Sequence, residues 1–351
     1  MRRRAAKGTT ERDDTNVRGR GEVRYSTLGR SGLKVSPLTL GTMNFGASGG
    51  TMICSPDEAD RMVGAFLDAG HNVIDTADKY NDGQAEDILG SVLKRRRDAV
   101  VLATKAGQPQ GAGPNDRGLS RAHLTRALEA TLRRLDTEYV DLYQCHLPDP
   151  DTPHEEIMAT LDMFVRSGKV RYIGCSNYSA AQLVEAQWAA ERVGGTPFIS
   201  HQLQYSLAAR EPESEILPVG ARHGTGTLTW SPLGAGVLVG RYQRGVGATG
   251  AAQDSRLGRV TARSERLGRY WATTLLTERK FDIAQVVSDV AADLGTPPAA
   301  VAVAWLLQRE HVTSVVIGPR TLGHLTDILG SDDLRLPPEA MARLEKVSAP
   351  A

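Results

Sequence analysis

The chain has little cysteine: Cys54, Cys145 and Cys175 are the whole complement in 351 residues. So few thiols, and an odd number, argue against a disulfide framework and for a reducing, cytoplasmic compartment. Cys145 beside His146 has no further spaced Cys or His to complete a ligand set, so no metal is expected. Charge of one sign is also missing. Forty-two basic against 41 acidic residues leave a net charge of +1, no field to gather nucleic acid or an anionic membrane. No apolar run reaches the length of a membrane span. A Gly-x-Gly-x-x-Gly after an early strand is absent as well. Gly234-Ala-Gly-Val-Leu-Val-Gly240 comes late and has the wrong spacing, which counts against an open doubly wound sheet.

The first 22 residues contain almost no apolar side chain and are expected to form a flexible tail. Arg2-Arg-Arg4 is followed by no apolar segment, and Glu11, Asp13 and Asp14 do not suit a transit peptide. Residues 23–351 are expected to form one domain, since 40% hydrophobic and 24% charged residues supply an ordinary soluble core.

What is present is a repeated motif, an apolar run that stops on chemistry. Gly70-His-Asn-Val-Ile-Asp75-Thr-Ala-Asp-Lys-Tyr80 is the clearest case. The runs ending at Lys105, His146, Asn177 and Gln204 repeat it with β-branched and aromatic residues. Strands at 38–43, 226–230 and 313–317 bring the count to eight. Helical spacing predicts helices over 56–69, 85–94, 120–135, 153–167, 180–190, 281–294 and 297–308 between them. Alternating strands and helices predict a (β/α)8 TIM barrel, with strand C-terminal ends gathered at one mouth. A hairpin around Gly29 and Gly32 precedes it, and a helix over 337–347 follows. Residues 245–255 read as a flap loop over a cofactor, and Asp151 as a cap for the helix after it.

Asp75, Tyr80, Lys105 and His146 would then share the mouth. A phenol with an ordinary pKa of ~10 is a poor acid near neutrality unless a cation favours its anion. Lys105 is that cation, with Asp75 to keep it protonated, and His146 is placed to donate a hydrogen bond to a substrate oxygen. The four make a device for protonating a carbonyl, and the hydride that completes a reduction must come from a nicotinamide. His71 and His201 read as hydrogen-bonded histidines of the core or as histidines that support the site from behind.

The chain resembles the aldo-keto reductases. The likeness runs from about Val23 to about Val347 on Tyr25-Ser-Thr-Leu-Gly-Arg-Ser-Gly-Leu-Lys-Val-Ser36, Leu40-Gly-Thr-Met43, Ile74-Asp-Thr-Ala-Asp-Lys-Tyr80, Thr104-Lys105, Gln144-Cys-His146, Gly174-Cys-Ser-Asn177, Trp230-Ser-Pro-Leu233 and Ile317-Gly-Pro-Arg320. It implies a catalytic tetrad of Asp75, Tyr80, Lys105 and His146, with Tyr80 as general acid and Lys105 lowering its pKa. It also implies NADPH/NADP+ held across the strand ends, with Gly41, Thr42, Met43 and Asp75 facing it. Ser176, Asn177 and Gln202 then hold the nicotinamide amide, and Trp230 stacks on its ring. Ser231, Leu233, Gly236 and Arg241 line the pyrophosphate, with Arg256 clamping from the flap. Gly318 and Arg320, at a helix beginning near Thr321, meet the adenosine phosphate, and Arg320 favours NADP over NAD. The final helix departs from the usual Gln, acid and Asn by carrying His324, Asp327 and Ile328.

The expected activity is NADPH-dependent reduction of an aldehyde or ketone to an alcohol. A nucleotide-linked ketodeoxysugar is one candidate substrate, suggested by 199–210 and 316–321. Two other classes compete: a Schiff-base aldolase using Lys105, and a reductase-like regulatory subunit without turnover.

Overall fold

The computed structural model describes residues 23–48 and 51–350; the expected tail, 1–22, lies outside them. Eight parallel strands close into a barrel. They are β1 (Leu38–Gly41), β2 (Val73–Asp75), β3 (Val101–Ala106), β4 (Val140–Cys145), β5 (Val170–Ser176), β6 (Ser200–Gln204), β7 (Gly226–Trp230) and β8 (Val312–Ile317). Each pairs with the next in sequence, and β8 closes on β1 through Ile317 beside Leu40.

The alternation of side chains along the strands divides the apolar residues into two cores. Leu38, Leu40, Ile74, Leu102, Tyr143, Ile173 and Ile317 point outward into the layer between barrel and helices. Val73, Ala103, Leu142, Ile199 and Leu228 fill the interior toward the strand N-termini, and Val316, near the end of β8, packs on them from the floor of the mouth. The predicted hairpin, Ser26–Thr27 paired with Lys34–Val35, plugs that end with Leu28 and Val35. With its lower half packed, the barrel is open for chemistry only at the strand C-termini.

Helices α1 (Pro56–Asp68), α2 (Gln84–Leu93), α3 (Arg121–Leu135), α4 (His154–Arg166), α5 (Ala180–Arg192) and α6 (Ile216–Arg222) follow β1 to β6 in the same order. Ser55, Ser120 and Ser179 cap their helices through side-chain oxygens, Ser179 in a full capping box with Gln182. Asp151 does not cap α4, whose first position follows Pro153. Asp149 has the structural task instead: it accepts from the N–H of Leu119 at 2.7 Å and of Asp151 at 3.0 Å, and from the Thr152 hydroxyl at 2.7 Å.

Between β7 and β8, beyond the short turn at Ala248–Gly250, lie two helices that helical spacing does not predict, α7 (Arg256–Arg263) and α8 (Glu265–Leu275). Glycines break their apolar periodicity, and packing explains those glycines. A Cβ on Gly268 would stand 2.2 Å from the Thr261 hydroxyl, so only glycine lets α8 cross α7 this closely. Then come α9 (Glu278–Leu294) and α10 (Pro298–Leu307); the latter is apolar all round and buried almost throughout. The chain finishes with the one-turn α11 (Leu322–Thr326) and the predicted C-terminal α12 (Pro338–Ser348). Among the described residues no single helix is long and apolar enough to cross a membrane.

Candidate active site

The parity of three neighbouring strands assembles the centre. Asp75 ends β2, Lys105 is the fifth residue of β3, and Gln144 the fifth of β4, all directed inward above the apolar plug. Lys105 Nζ donates to Asp75 Oδ2 at 2.5 Å, to the Thr76 carbonyl at 2.9 Å and to Tyr80 Oη at 3.2 Å. The other Asp75 oxygen accepts from Gln202 at 2.9 Å and from Gln144 at 3.3 Å. Both charged groups are only 1% exposed, so the pair is held by these surrounding bonds as well as by its own attraction.

Burial works against the Lys105 ammonium, but Asp75 and Tyr80 outweigh it and raise its pKa above the ordinary value. For Tyr80 burial is the larger effect and raises the phenol, while Lys105 pulls the other way. The expected direction of the Lys105 influence is therefore present, but it moderates a net upward shift. His146 sits just past β4 with its ring edge-on to Tyr80, centroids 5.8 Å apart. Desolvation first, then Lys105, presses its pKa to about 3, so its imidazole is neutral at physiological pH. Its Nε2 lies 3.1 Å from Gln108 Nε2, and its Nδ1 has no partner among the described residues. His201 is buried on the outer side of β6 and pressed by burial to about 4; it is a core histidine, but neither ring nitrogen has a partner among the described residues, contrary to the hydrogen-bonded histidine expected. His71 is also buried and stacks on Phe66.

Above this centre opens an elongated cavity of about 690 Å³. Gly41, Met43, Asp75, Tyr80, His146, Ser176, Asn177, Gln202 and Trp230 line its inner end, and Ser231, Leu233, Gly236, Arg241, Arg256, Gly318, Arg320, His324 and Asp327 its outer end. Lys105 reaches Tyr80 from beneath. Thr42 does not reach the cavity: fully buried, it turns back to Asp75, its hydroxyl donating to that residue's carbonyl at 3.1 Å. Asn177 is engaged on both sides of its amide. It accepts from the Trp230 indole at 3.1 Å and donates to the His146 carbonyl at 3.0 Å and to Ser176 at 2.9 Å. Those bonds fix the Trp230 ring and the His146 backbone relative to each other.

The outer end is cationic. Arg241, Arg256 and Arg320 are joined there by Arg259, which follows Arg256 along α7 and is marked by no motif in the sequence. Asp254 links Arg241 at 2.9 Å with Arg320 at 3.3 Å. Arg256 stacks over Trp271 and lies close enough to Tyr80 to lower the phenol's pKa. The expected helix N-terminus is a weaker anion site than predicted. α11 has one turn, and the N–H of Leu322 is already taken by Glu58 at 2.6 Å. Gln108, Asn44 and Leu147 also face the cavity; they sit on loops with no periodicity to betray them.

A long trough with an aromatic plane and amide groups beside a buried acid–base set, and arginines at the far end, fits a dinucleotide lying across the strand ends. At Gly318 a Cβ would meet nothing closer than Asn44 Nδ2 at 3.6 Å, so the wall is bare of side chain where such a ligand would run. Comparison with known proteins agrees with this geometry. Residues 37–349 match the model of the Aldo/keto reductase family. The chain belongs to that family.

Aldo/keto reductases are oxidoreductases acting on carbonyls, generally with NAD(P)H. The chain is 37% identical, over 93% of its length and 96% of the relative's, to the uncharacterized oxidoreductase YrpG of Bacillus subtilis (strain 168). It is also 35% and 34% identical to the probable voltage-gated potassium channel subunits beta of Oryza sativa subsp. japonica and Arabidopsis thaliana, again over 93% of this chain and 96% of theirs.

Proposed function

We propose that this aldo/keto reductase uses NADPH to reduce an aldehyde or ketone, with Tyr80 as the proton donor. The observation that carries the reading is Lys105 Nζ bonded at once to Asp75 and to Tyr80 Oη at the base of the cavity. A carbonyl oxygen seated between Tyr80 and His146 accepts a hydrogen bond from each, which polarises the carbonyl. When bound, NADPH supplies the hydride to the carbonyl carbon. As the C=O π electrons move to oxygen, Tyr80 transfers its proton there, and the phenolate left behind is stabilised by the ammonium 3.2 Å away. Asp75 keeps Lys105 protonated through that step, while the neutral His146 donates without competing as an acid.

Ser176, Asn177, Gln202 and Trp230 are proposed to seat the nicotinamide. The arginines of the outer end are proposed to take the phosphates, with Arg320 selecting NADPH. A Schiff-base role for Lys105 is disfavoured, because its ammonium is stabilised by three partners and is 1% exposed. The names of the two plant relatives favour one second reading, a channel-associated subunit that binds cofactor. NADPH consumption by wild type and Tyr80→Phe on aldehydes, ketones, dicarbonyls and nucleotide-linked ketosugars decides between them. Turnover that vanishes in the variant is expected; cofactor binding without turnover on any carbonyl would favour the second reading.

A further inference from the structure

The reductase mechanism leaves Gln108 unused, although its amide touches the catalytic histidine. Gln108 stands at the start of the loop after β3, and that loop is built to hold it. Gly118 N–H donates to Gly107 O at 2.9 Å, closing the loop on itself, and Asp149 ties the next residue, Leu119, to the loop after β4. His146 hangs from that second loop, so Gln108 and His146 are fixed to one frame, both facing the cavity.

The 3.1 Å contact at His146 Nε2 has two possible senses. If the Gln108 NH2 donates, the imidazole proton lies on Nδ1, a buried atom with no acceptor among the described residues. If the amide is turned, Gln108 Oε1 accepts from Nε2–H and only a lone pair is left buried at Nδ1. A stranded donor costs more than a stranded lone pair, so the second arrangement wins. It is also the tautomer a carbonyl substrate needs, and His146 is uncharged, as a single-proton ring must be.

Resting on the reductase reading, we infer that Gln108 holds His146 in the Nε2–H tautomer and that its amide determines specificity by binding an oxygen on the carbon next to the reacting carbonyl. A carbonyl that takes the Nε2 proton releases the Gln108 amide inside a partly desolvated pocket, where an unmade hydrogen bond is costly. The nearest substrate atom able to replace it is one substituent away from the carbonyl. Met43, Leu147 and Trp230, which line the same cavity, add chiefly apolar surface to it. α-Hydroxy ketones and keto sugars with a hydroxyl beside the carbonyl fit, because that hydroxyl donates to the freed Gln108 Oε1; simple ketones leave it unpaired.

The test compares 3-hydroxybutan-2-one with butan-2-one in wild type, Gln108→Met and Gln108→Asn, reading the ratio of kcat/KM values rather than either rate. Wild type is expected to prefer the hydroxy ketone by roughly tenfold or more, and Gln108→Met to bring the ratio near unity. No preference in wild type, or a preference retained in Gln108→Met, overturns the assignment. Gln108→Asn, which keeps an amide, should retain part of the preference; a complete loss there with retention in Gln108→Met is equally fatal. Ring nitrogen NMR of His146 in the NADP+ complex provides a readout independent of turnover. Nε2–H in wild type that is lost in Gln108→Met supports the coupling, and an unchanged tautomer refutes it. Absence of turnover on every carbonyl tested would defeat the reductase reading and the substrate-specificity half of this one together, leaving the tautomer result to decide the rest.

Discussion

Asp78 is a buried acid that the fold keeps protonated, and replacing it with Asn should stabilise the protein only where the pH is high. Its side chain is 1% exposed, and apart from the backbone N–H of Lys79 no donor among the described residues reaches its oxygens. Burial, followed by the neighbouring Glu86, raises its pKa from 3.8 to about 8, against the weaker pull of Arg134 and Lys79. A carboxyl with a raised folded pKa stabilises the fold fully below the unfolded value. That contribution is lost as pH rises toward the folded value, at ~1.4 kcal/mol per unit. Between about pH 4 and pH 8 the wild type should thus fall steadily behind Asp78→Asn, whose side chain has the same shape and no charge to avoid. The gap is near zero at pH 4 and reaches roughly 4 kcal/mol at pH 7. With an unfolding entropy of ~2.1 cal/mol/K per residue, that is about 6 °C in Tm for a chain of this size. Thermal melts of both proteins from pH 4 to 9 read the difference directly, since titrating groups distant from Asp78 are common to both and cancel, and Glu86, its coupled neighbour, faces an uncharged side chain in both proteins below about pH 8. A gap that is constant with pH, or that closes as pH rises, would mean that Asp78 is ionised in the fold and the argument is wrong.

Other consequences are equally measurable. Lys105→Met should lower kcat by roughly 10²–10⁴ with little change in cofactor KM, because the cation acts on the Tyr80 phenolate; an equal fall in a Tyr80→Phe background would refute the coupling. The pH profile of kcat/KM should show no inflection from His146 near pH 6.5, since its pKa is pressed to about 3; a bell-limb near 6.5 that disappears in His146→Gln would contradict this. Arg320→Ala should raise the KM for NADPH by about tenfold or more and leave that for NADH nearly unchanged; equal effects on both would deny Arg320 the 2′-phosphate. Gly268→Val should lower Tm, because its side chain cannot fit against Thr261; an unchanged melt would show that α7 and α8 separate freely.

Strand-borne chemistry was legible because a barrel strand is a short apolar run whose final inward residue must be polar. Asp75, Lys105 and the positions around His146, Ser176, Gln202 and Trp230 follow that rule and converge as expected. The Thr42 side chain turned away from the cavity because it lies just past β1, where strand parity no longer fixes direction. α7 and α8 were hidden by glycines whose meaning is a helix crossing, and no motif marks the cationic Arg259. Gln108 carried no signal at all in a loop rich in Gly and Pro. Asp78, between Asp75 and Tyr80, carried no signal of its own, though the fold buries it.

The sequence by itself therefore determined the periodicities, the order of strands and helices, and the identity of the groups delivered to the mouth, since all of these follow from neighbours in the chain. Tertiary structure alone decided which side chains touch across strands and how far each is desolvated. Those decide the charge of Lys105, the neutrality of His146, the proton on Asp78 and the partner of Gln108. The physical reason is that a pKa or a hydrogen bond depends on what surrounds an atom in space, and residues far apart in the chain supply those surroundings.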